Sequence, residues 1–574
     1  MRQTKRMSLE QAMADLVKDG ESVVMGACLE AMIPFAAAYE LIRQKKENLT
    51  LIAPISDILF DVMIGAGVVD RLIAAWSGNV SAGLGYNYRR AMEKGIPRPL
   101  KVEDHSNFTI GLALLAGAMG VPFLPTRSLL GSDLLKTNPK LQVGTSPLGE
   151  EKLVYVPALT PDVAILGVQR ADEFGNAHLW GNLGVAQEAA LASKKVILLA
   201  EEIVPGDVIT SDPNRLLVPG FKVSAVVHCP GFCHPSPMPG YYQRDHSFFH
   251  DYHQESRDEE GFRKWLNQWV LSVSSHEEYL RLLGSRWERL KITKKALAAE
   301  VNYAYELCRR GSGEMDYTTE ELMVIAAARE IRDKDVVFVG MRLPMLAFAV
   351  AKKLHAPDAI GFFECGIVRD EPSDELLYTM GDPPNVTGAQ WCTSTNHLMF
   401  LMQQGCVDVG FIGGAQIDRY GNINTSYLGG TTTPKVKLPG SGGAADIASL
   451  SNRLLAIMNH EKRRLTDRVD YITSPGFGNG SGWRESVGLP WGGLSALITN
   501  LGVLKPDPET KELMLATIHP GVAFEQVQEN TDWPLKRFDS LTETPPPSGK
   551  ELKTLRSIDP EGFWTGRRGI RTGG

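Results

Sequence analysis

PDVAILGVQRADEFGNAHLWG at residues 161–181 and VDVGFIGGAQIDRYGNINTSYLG at residues 407–429 are two copies of one pattern. Aligned without gaps, both read D-V-x3-G-x4-D-x2-G-N. Asp162 then matches Asp408, Gly167 matches Gly413, Asp172 matches Asp418, and Gly175-Asn176 matches Gly421-Asn422. Each copy is an apolar run of strand length, a glycine loop, and a turn whose Gly-Asn pair suits positive φ. Self-similarity at this separation predicts two related units.

A second pair extends the repeat. DGESVVMGACLEAMIPFAAAYEL near the N-terminus resembles DKDVVFVGMRLPMLAFAVAKKL from Asp333. Both read as a strand ending at a glycine (Gly26, Gly340), a short loop with a proline (Pro34, Pro344) and an Ala-rich helix. The first unit carries an insertion, placed within residues 75–150. FTIGLALLAGAMGVPFL, residues 108–124, has three glycines and a proline and falls short of a membrane span, so it reads as a buried helix running into a strand. Arg310-Gly311-Ser312-Gly313 is the expected hinge, with the second half starting near Met315. TPPPSG at 544–549 separates a tail helix, ELKTLRSIDPEGF. Strands alternating with helices predict an α/β fold: two related open, mainly parallel sheets with helices on both faces.

Composition narrows the function. The chain has 574 residues, 43% hydrophobic and 22% charged, with a net charge of −7. That balance gives no basic field for nucleic acid or an anionic membrane. Seven cysteines at scattered spacings, with no apolar secretory core in MRQTKRMSLEQAMADLV, are expected to be reduced thiols in a cytoplasmic protein.

Four stretches carry candidate chemistry. In DAIGFFECGIVRD, residues 358–370, Glu364 ends an apolar strand and is followed by Cys365 and Gly366. A carboxylate there either reaches solvent or a partner such as Arg369, or stands where open α/β sheets bind ligands. In LPGSGGAADIAS, residues 438–449, Gly440, Gly442 and Gly443 lead into an apolar helix. Free N–H groups in such a loop hold a phosphate or an oxyanion, or the loop is a simple turn. No Lys-Ser/Thr follows, so it is not a nucleotide phosphate loop. SPGFGNGSGW at 474–483 lacks dinucleotide spacing and reads as a loop. His228, Cys229, Cys233, His234, His246, His250 and His253 match no common zinc spacing, and the last three lie in an aromatic-faced helix; no metal is expected.

Taken together, these stretches resemble the family I coenzyme A transferases of the glutaconate CoA-transferase type. The resemblance runs through LAGAMGVPFLPTRSLLGSDL, ADEFGNAHLWG, YTTEELMVIAAAREI, FIGGAQIDRYGNIN, GSGGAADIAS, NHEKRRLTDRVDYITSPG and RESVGLPWGG. It implies an α-subunit-like domain at 1–312 and a β-subunit-like domain at 315–574, fused in one polypeptide. It places the catalytic glutamate at Glu364 and the backbone oxyanion donor at Gly443. Hydrolases of the same superfamily lack the β-type glutamate, so Glu364 argues against placing this chain among them.

The implied reaction moves coenzyme A from an acyl-CoA to a free carboxylic acid through an acyl-glutamyl anhydride and a glutamyl-CoA thioester. Coenzyme A is a substrate, and no cofactor is implied. Phe362 and Phe363 would exclude water. Ser77 and Asn79 are the candidates for contacting the acyl carboxylate. Gly413, Gly414 and Gln416 would line the pantetheine channel, with Gly440 and Gly442 completing the loop. The partners implied are acyl-CoA and carboxylic acids, and a homo-oligomer is the family expectation. An acyl-CoA or ring-opening hydrolase on the same fold and a non-catalytic ligand-sensing α/β module are the alternatives.

Overall fold

The computed structural model describes residues 3–292, 317–489 and 491–566. The expected hinge at 310–313 and the boundary at 312–315 lie outside the described residues. Two large sheets dominate. The first runs through the strands beginning at Ala225, Lys195, Val163, Ser22, Leu49, Val69 and Lys101, all parallel. The second runs through strands beginning at Trp391, Ile367, Ile360, Val336, Val409, Arg453, Leu494, Gly502, Leu513 and Arg537.

The two copies of the repeat occupy equivalent places. The Val163 strand pairs with the Ser22 strand at Val23↔Val163, and the Val409 strand pairs with the Val336 strand at Val337↔Val409, both parallel. The repeated aspartates do one job. Asp162 accepts the Ser22 N–H at 3.0 Å, and Asp408 accepts the Val336 N–H at 2.9 Å. Each therefore caps the start of the neighbouring central strand. In the turns, Asp172 accepts the Asn176 N–H at 2.9 Å and Asp418 accepts the Asn422 N–H at 3.0 Å. The sequence pattern thus encodes hydrogen bonds that fix strand register and turn geometry.

The halves diverge at their edges. The first sheet extends past Leu49 with the parallel Val69 and Lys101 strands, then the helix Asn107–Met119 and a three-stranded sheet at 123–157. The insertion therefore begins slightly before residue 75. At the matching edge of the second sheet the chain turns back as antiparallel strands Ile367–Arg369 and Trp391–Cys392. Residues 108–124 form the expected helix and strand. That helix, with Leu129, Val154 and Val156, packs into one apolar core with Phe338, Phe362, Leu398 and Ile447 of the second half. The inserted segment therefore joins the halves. Among the described residues no helix is long and apolar enough to cross a membrane.

Candidate active site

The strand Ile360–Phe363 is parallel to Val336–Phe338 on one side and antiparallel to Ile367–Arg369 on the other, so its carboxyl end lies on the rim where the Val336 strand also releases its loop. Phe362 and Phe363 point to opposite faces, 6% and 3% exposed, and enter different apolar cores. Glu364 follows them. The backbone turns sharply at Gly366, whose φ is +96°. A β-carbon there would meet the Thr393 carbonyl oxygen at 1.8 Å, so glycine is required for close backbone approach rather than for a substrate. Thr395 donates its hydroxyl to the Glu364 carbonyl at 2.8 Å and holds the turn from below.

The Glu364 side chain is buried, and Oε1 has no hydrogen-bond partner among the described residues. Arg369 does not pair with it. That guanidinium donates to the carbonyls of Glu371, Asn385 and Thr387 at 2.7–2.8 Å. Burial therefore pushes the Glu364 carboxyl up to about 8; the Asn107 amide pulls the other way, and the charges of Asp446 and Glu30 raise it further. Asn107 faces the carboxyl outside ordinary bonding geometry, and among the described residues both polar atoms of its amide lack a partner.

Facing Glu364 is the loop Pro439–Gly443. It is held by the first half: Ser77 N–H donates to the Pro439 carbonyl at 2.9 Å and Gly442 N–H to the Ala75 carbonyl at 3.0 Å. Gly440 N–H is used by the Thr425 carbonyl at 3.0 Å. A β-carbon on Gly440 would stand 2.4 Å from the Ala75 oxygen, so that glycine permits the docking of the halves. Among the described residues no acceptor takes the Gly443 N–H. The loop therefore keeps a free donor at Gly443, the N-cap of the helix Ala444–Leu450. A β-carbon on Gly443 would lie 1.7 Å from Glu364 Oε1.

Sequence reasoning did not single out Asn107, Asp446 or Glu30. Asp446 is buried, and accepts from Ser106 Oγ at 2.6 Å, from the Phe108 N–H at 3.1 Å and from Ser128 Oγ. It clasps the start of the Asn107 helix to the start of the Ala444 helix. The Asn107 N–H also donates to the Gly442 carbonyl at 3.0 Å. Glu30 accepts the Gly381 N–H at 3.0 Å, and burial pushes it up to about 7. The signal for Asn107 was present: HSNFT sets three polar residues between a strand and an apolar helix.

The remaining candidates divide. Ser77 is buried beside the glycine loop, and its hydroxyl has no partner among the described residues. Asn79 is committed to its own loop, donating to the Phe249 carbonyl at 2.8 Å and accepting the Ser81 and Ala82 N–H groups at 3.0 and 3.1 Å. Gly413 and Gly414 follow the Val409 strand, two strands from Ile360–Phe363 on the same rim. Gly413 is exposed. Gln416 Oε1 accepts from the Asn424 amide at 2.8 Å and the Asp470 N–H at 3.2 Å, which stiffens that loop. In the histidine-rich region His234 pairs with Asp245 at 3.1 Å and the Tyr279 hydroxyl at 2.6 Å, while His246 stacks on Tyr378. Those rings serve packing.

The model of the coenzyme A transferase family matches residues 6–228 and 321–530. Subunits A and B of the 3-oxoadipate CoA-transferase of Pseudomonas knackmussii are both similar to this chain. One is 38% identical over 273 residues, covering 48% of this chain and 96% of that protein. The other is 38% identical over 244 residues, covering 42% of this chain and 94% of that protein. An acyl-CoA transferase of E. coli O157:H7 shares the fold, with a TM-score of 0.65 at 14% identity over 94% of this chain and 95% of that one.

Proposed function

This chain belongs to the coenzyme A transferase family, with counterparts of both subunits in one polypeptide, and we propose that it transfers coenzyme A through covalent attack by Glu364. The observation that carries this reading is the approach of a buried carboxylate, whose Oε1 has no hydrogen-bond partner among the described residues, to a glycine whose N–H has no acceptor among them. A carboxylate needed only for structure would be paired.

The steps follow from the groups present. One Glu364 oxygen attacks the thioester carbonyl carbon, the C–S bond breaks, and coenzyme A leaves as thiolate, giving an acyl-glutamyl anhydride. The thiolate attacks the glutamyl carbonyl, and the acyl group departs as a carboxylate. A glutamyl-CoA thioester remains. An incoming carboxylate reverses both steps, and the original Glu364 carboxylate is restored. Each addition creates a tetrahedral oxyanion beside the Gly443 N–H, and one such donor contributes about 3–4 kcal/mol in comparable sites. The Asn107 amide, beside Glu364, and the Ser77 hydroxyl, beside the loop, are further donors without a partner among the described residues. The Asp446 clasp between the halves, above the core that Phe362 enters, excludes water, which would hydrolyse the anhydride.

The domains proposed are 1–312 and 315–574, with substrate held where they meet. The test is a donor–acceptor exchange assay. Purified enzyme, acyl-CoA and a panel of free acids should yield new acyl-CoA only when an acid is present. Release of free coenzyme A that ignores the acid would instead indicate a hydrolase.

A further inference from the structure

Among the described residues a single ion pair joins the two halves, and it stands at the root of the glycine loop. Lys437 Nζ lies 3.2 Å from Asp104 Oδ1, with the lysine side chain fully buried and that of the aspartate 9% exposed. Lys437 belongs to the hairpin of Tyr427–Leu428 and Val436–Lys437, directly opposite Tyr427. The Tyr427 hydroxyl donates to the other Asp104 oxygen, and its ring lies 3.9 Å from the ammonium. From the first half, Tyr88 covers the ammonium at 5.7 Å and Glu93 accepts the Lys437 N–H at 2.9 Å. One carboxylate of the first half thus has both oxygens taken by one hairpin of the second.

Burial pushes the Lys437 ammonium down, and the charge and hydrogen bond of Asp104 oppose it. An apolar pair of the same volume holds two surfaces together as well or better, so a buried ion pair is suited to fixing which residues meet. Its place says what is fixed. Lys437 stands two residues before Pro439, and Asp104 three residues before Asn107. Those are the two loops whose far ends, Gly443 and Asn107, face Glu364. Asp446 clasps the far ends together, and the ion pair clasps the near ends. The backbone bonds that dock the loop, from Ser77 to Pro439 and from Gly442 to Ala75, carry no side-chain identity. The ion pair and the tyrosine hydroxyl admit one partner.

We propose that Lys437 and Asp104, with the Tyr427 hydroxyl, are positioning residues that hold the 439–443 and 104–107 loops closed over Glu364 and so keep its covalent intermediates from water. This rests on Glu364 being the attacking group. The reaction held off is hydrolysis. Water adds to the carbonyl of the glutamyl-CoA thioester, the C–S bond breaks, and the products are the Glu364 carboxylic acid and the coenzyme A thiol. Loosening the loops therefore turns transfer into leakage.

The test runs the exchange assay with acyl-CoA and a free acid, and counts coenzyme A moved to the acid against free coenzyme A released. That ratio does not depend on how much enzyme is folded, so a variant that is merely unstable leaves it unchanged. Lys437→Met and Asp104→Asn should each lower it by roughly 10- to 100-fold, the scale of a misplacement of up to about 1 Å, with KM of the donor unchanged. The double variant should leak no more than the worse single one, because the two residues act as a unit. Tyr427→Phe keeps both charges and should lower the ratio less, which keeps the test valid if loss of a buried charge prevents folding. Transfer that falls while the ratio stays parental overturns the positioning role, as does leakage in the double variant equal to the product of the two single effects. A parent that transfers while every folded variant keeps its ratio overturns the positioning role alone. A parent that releases coenzyme A without moving it to any acid overturns the transferase reading as well.

Discussion

Glu364 Oε1 stands where the β-carbon of residue 443 would be, 1.7 Å from that position. The φ of Gly443 is −87°, which any residue adopts, so glycine is needed here for space alone. Gly443→Ala should therefore fold with near-parental Tm while displacing the carboxylate. A displacement of about 1 Å costs on the order of 100-fold in rate. The expected outcome is a kcat loss of at least that size, measured in the exchange assay beside a thermal melt.

The pH profile follows from the same burial. Attack needs the carboxylate, and the free enzyme holds Glu364 protonated up to about 8. The acceptor-independent first step, release of thiolate from acyl-CoA, should rise with pH and reach half its limit near 8. Glu30 raises the Glu364 value through its charge. Glu30→Gln should shift the midpoint to lower pH, read from kcat/KM of the donor.

Stability should carry the complementary sign. A carboxyl raised on folding binds its proton more tightly in the native state, so stability falls as pH climbs from the ordinary glutamate value to about 8, then levels. Glu364→Gln removes this term. Its Tm should exceed that of the parent, by a gap that widens between pH 5 and pH 8 in calorimetry.

Asp446 supports the site indirectly by joining two helix starts across the halves. Asp446→Asn leaves serine donors facing an amide in a buried setting. It should cost about 1–3 kcal/mol, measured by denaturant unfolding. Activity should fall with it, because Asn107 and Gly443 lose their common anchor.

The repeat was legible because its residues act locally. Asp162, Asp408, Asp172 and Asp418 each bond a backbone group fixed by chain geometry, so spacing alone reveals them. Glu364 was legible because a charge ending an apolar strand conflicts with burial. Asn107 carried a local signal in HSNFT that named no partner, whereas Asp446 and Glu30 were not legible, since their partners lie hundreds of residues away and nothing local marks the contact. The second sheet's antiparallel edge was hidden for a related reason. The strands Ile367–Arg369 and Trp391–Cys392 are short, and their partners are set by the turn at Gly366. Asn79 looked available for substrate because its amide contacts, Phe249 among them, come from folding.

The most direct measurement is peptide mass spectrometry of the enzyme incubated with acyl-CoA and no acceptor acid. The account predicts a coenzyme A thioester on the peptide containing Glu364, discharged by adding a free acid and absent from Glu364→Ala. A parent that forms no adduct yet moves coenzyme A between acids, or a Glu364→Ala variant that still does so, would contradict it.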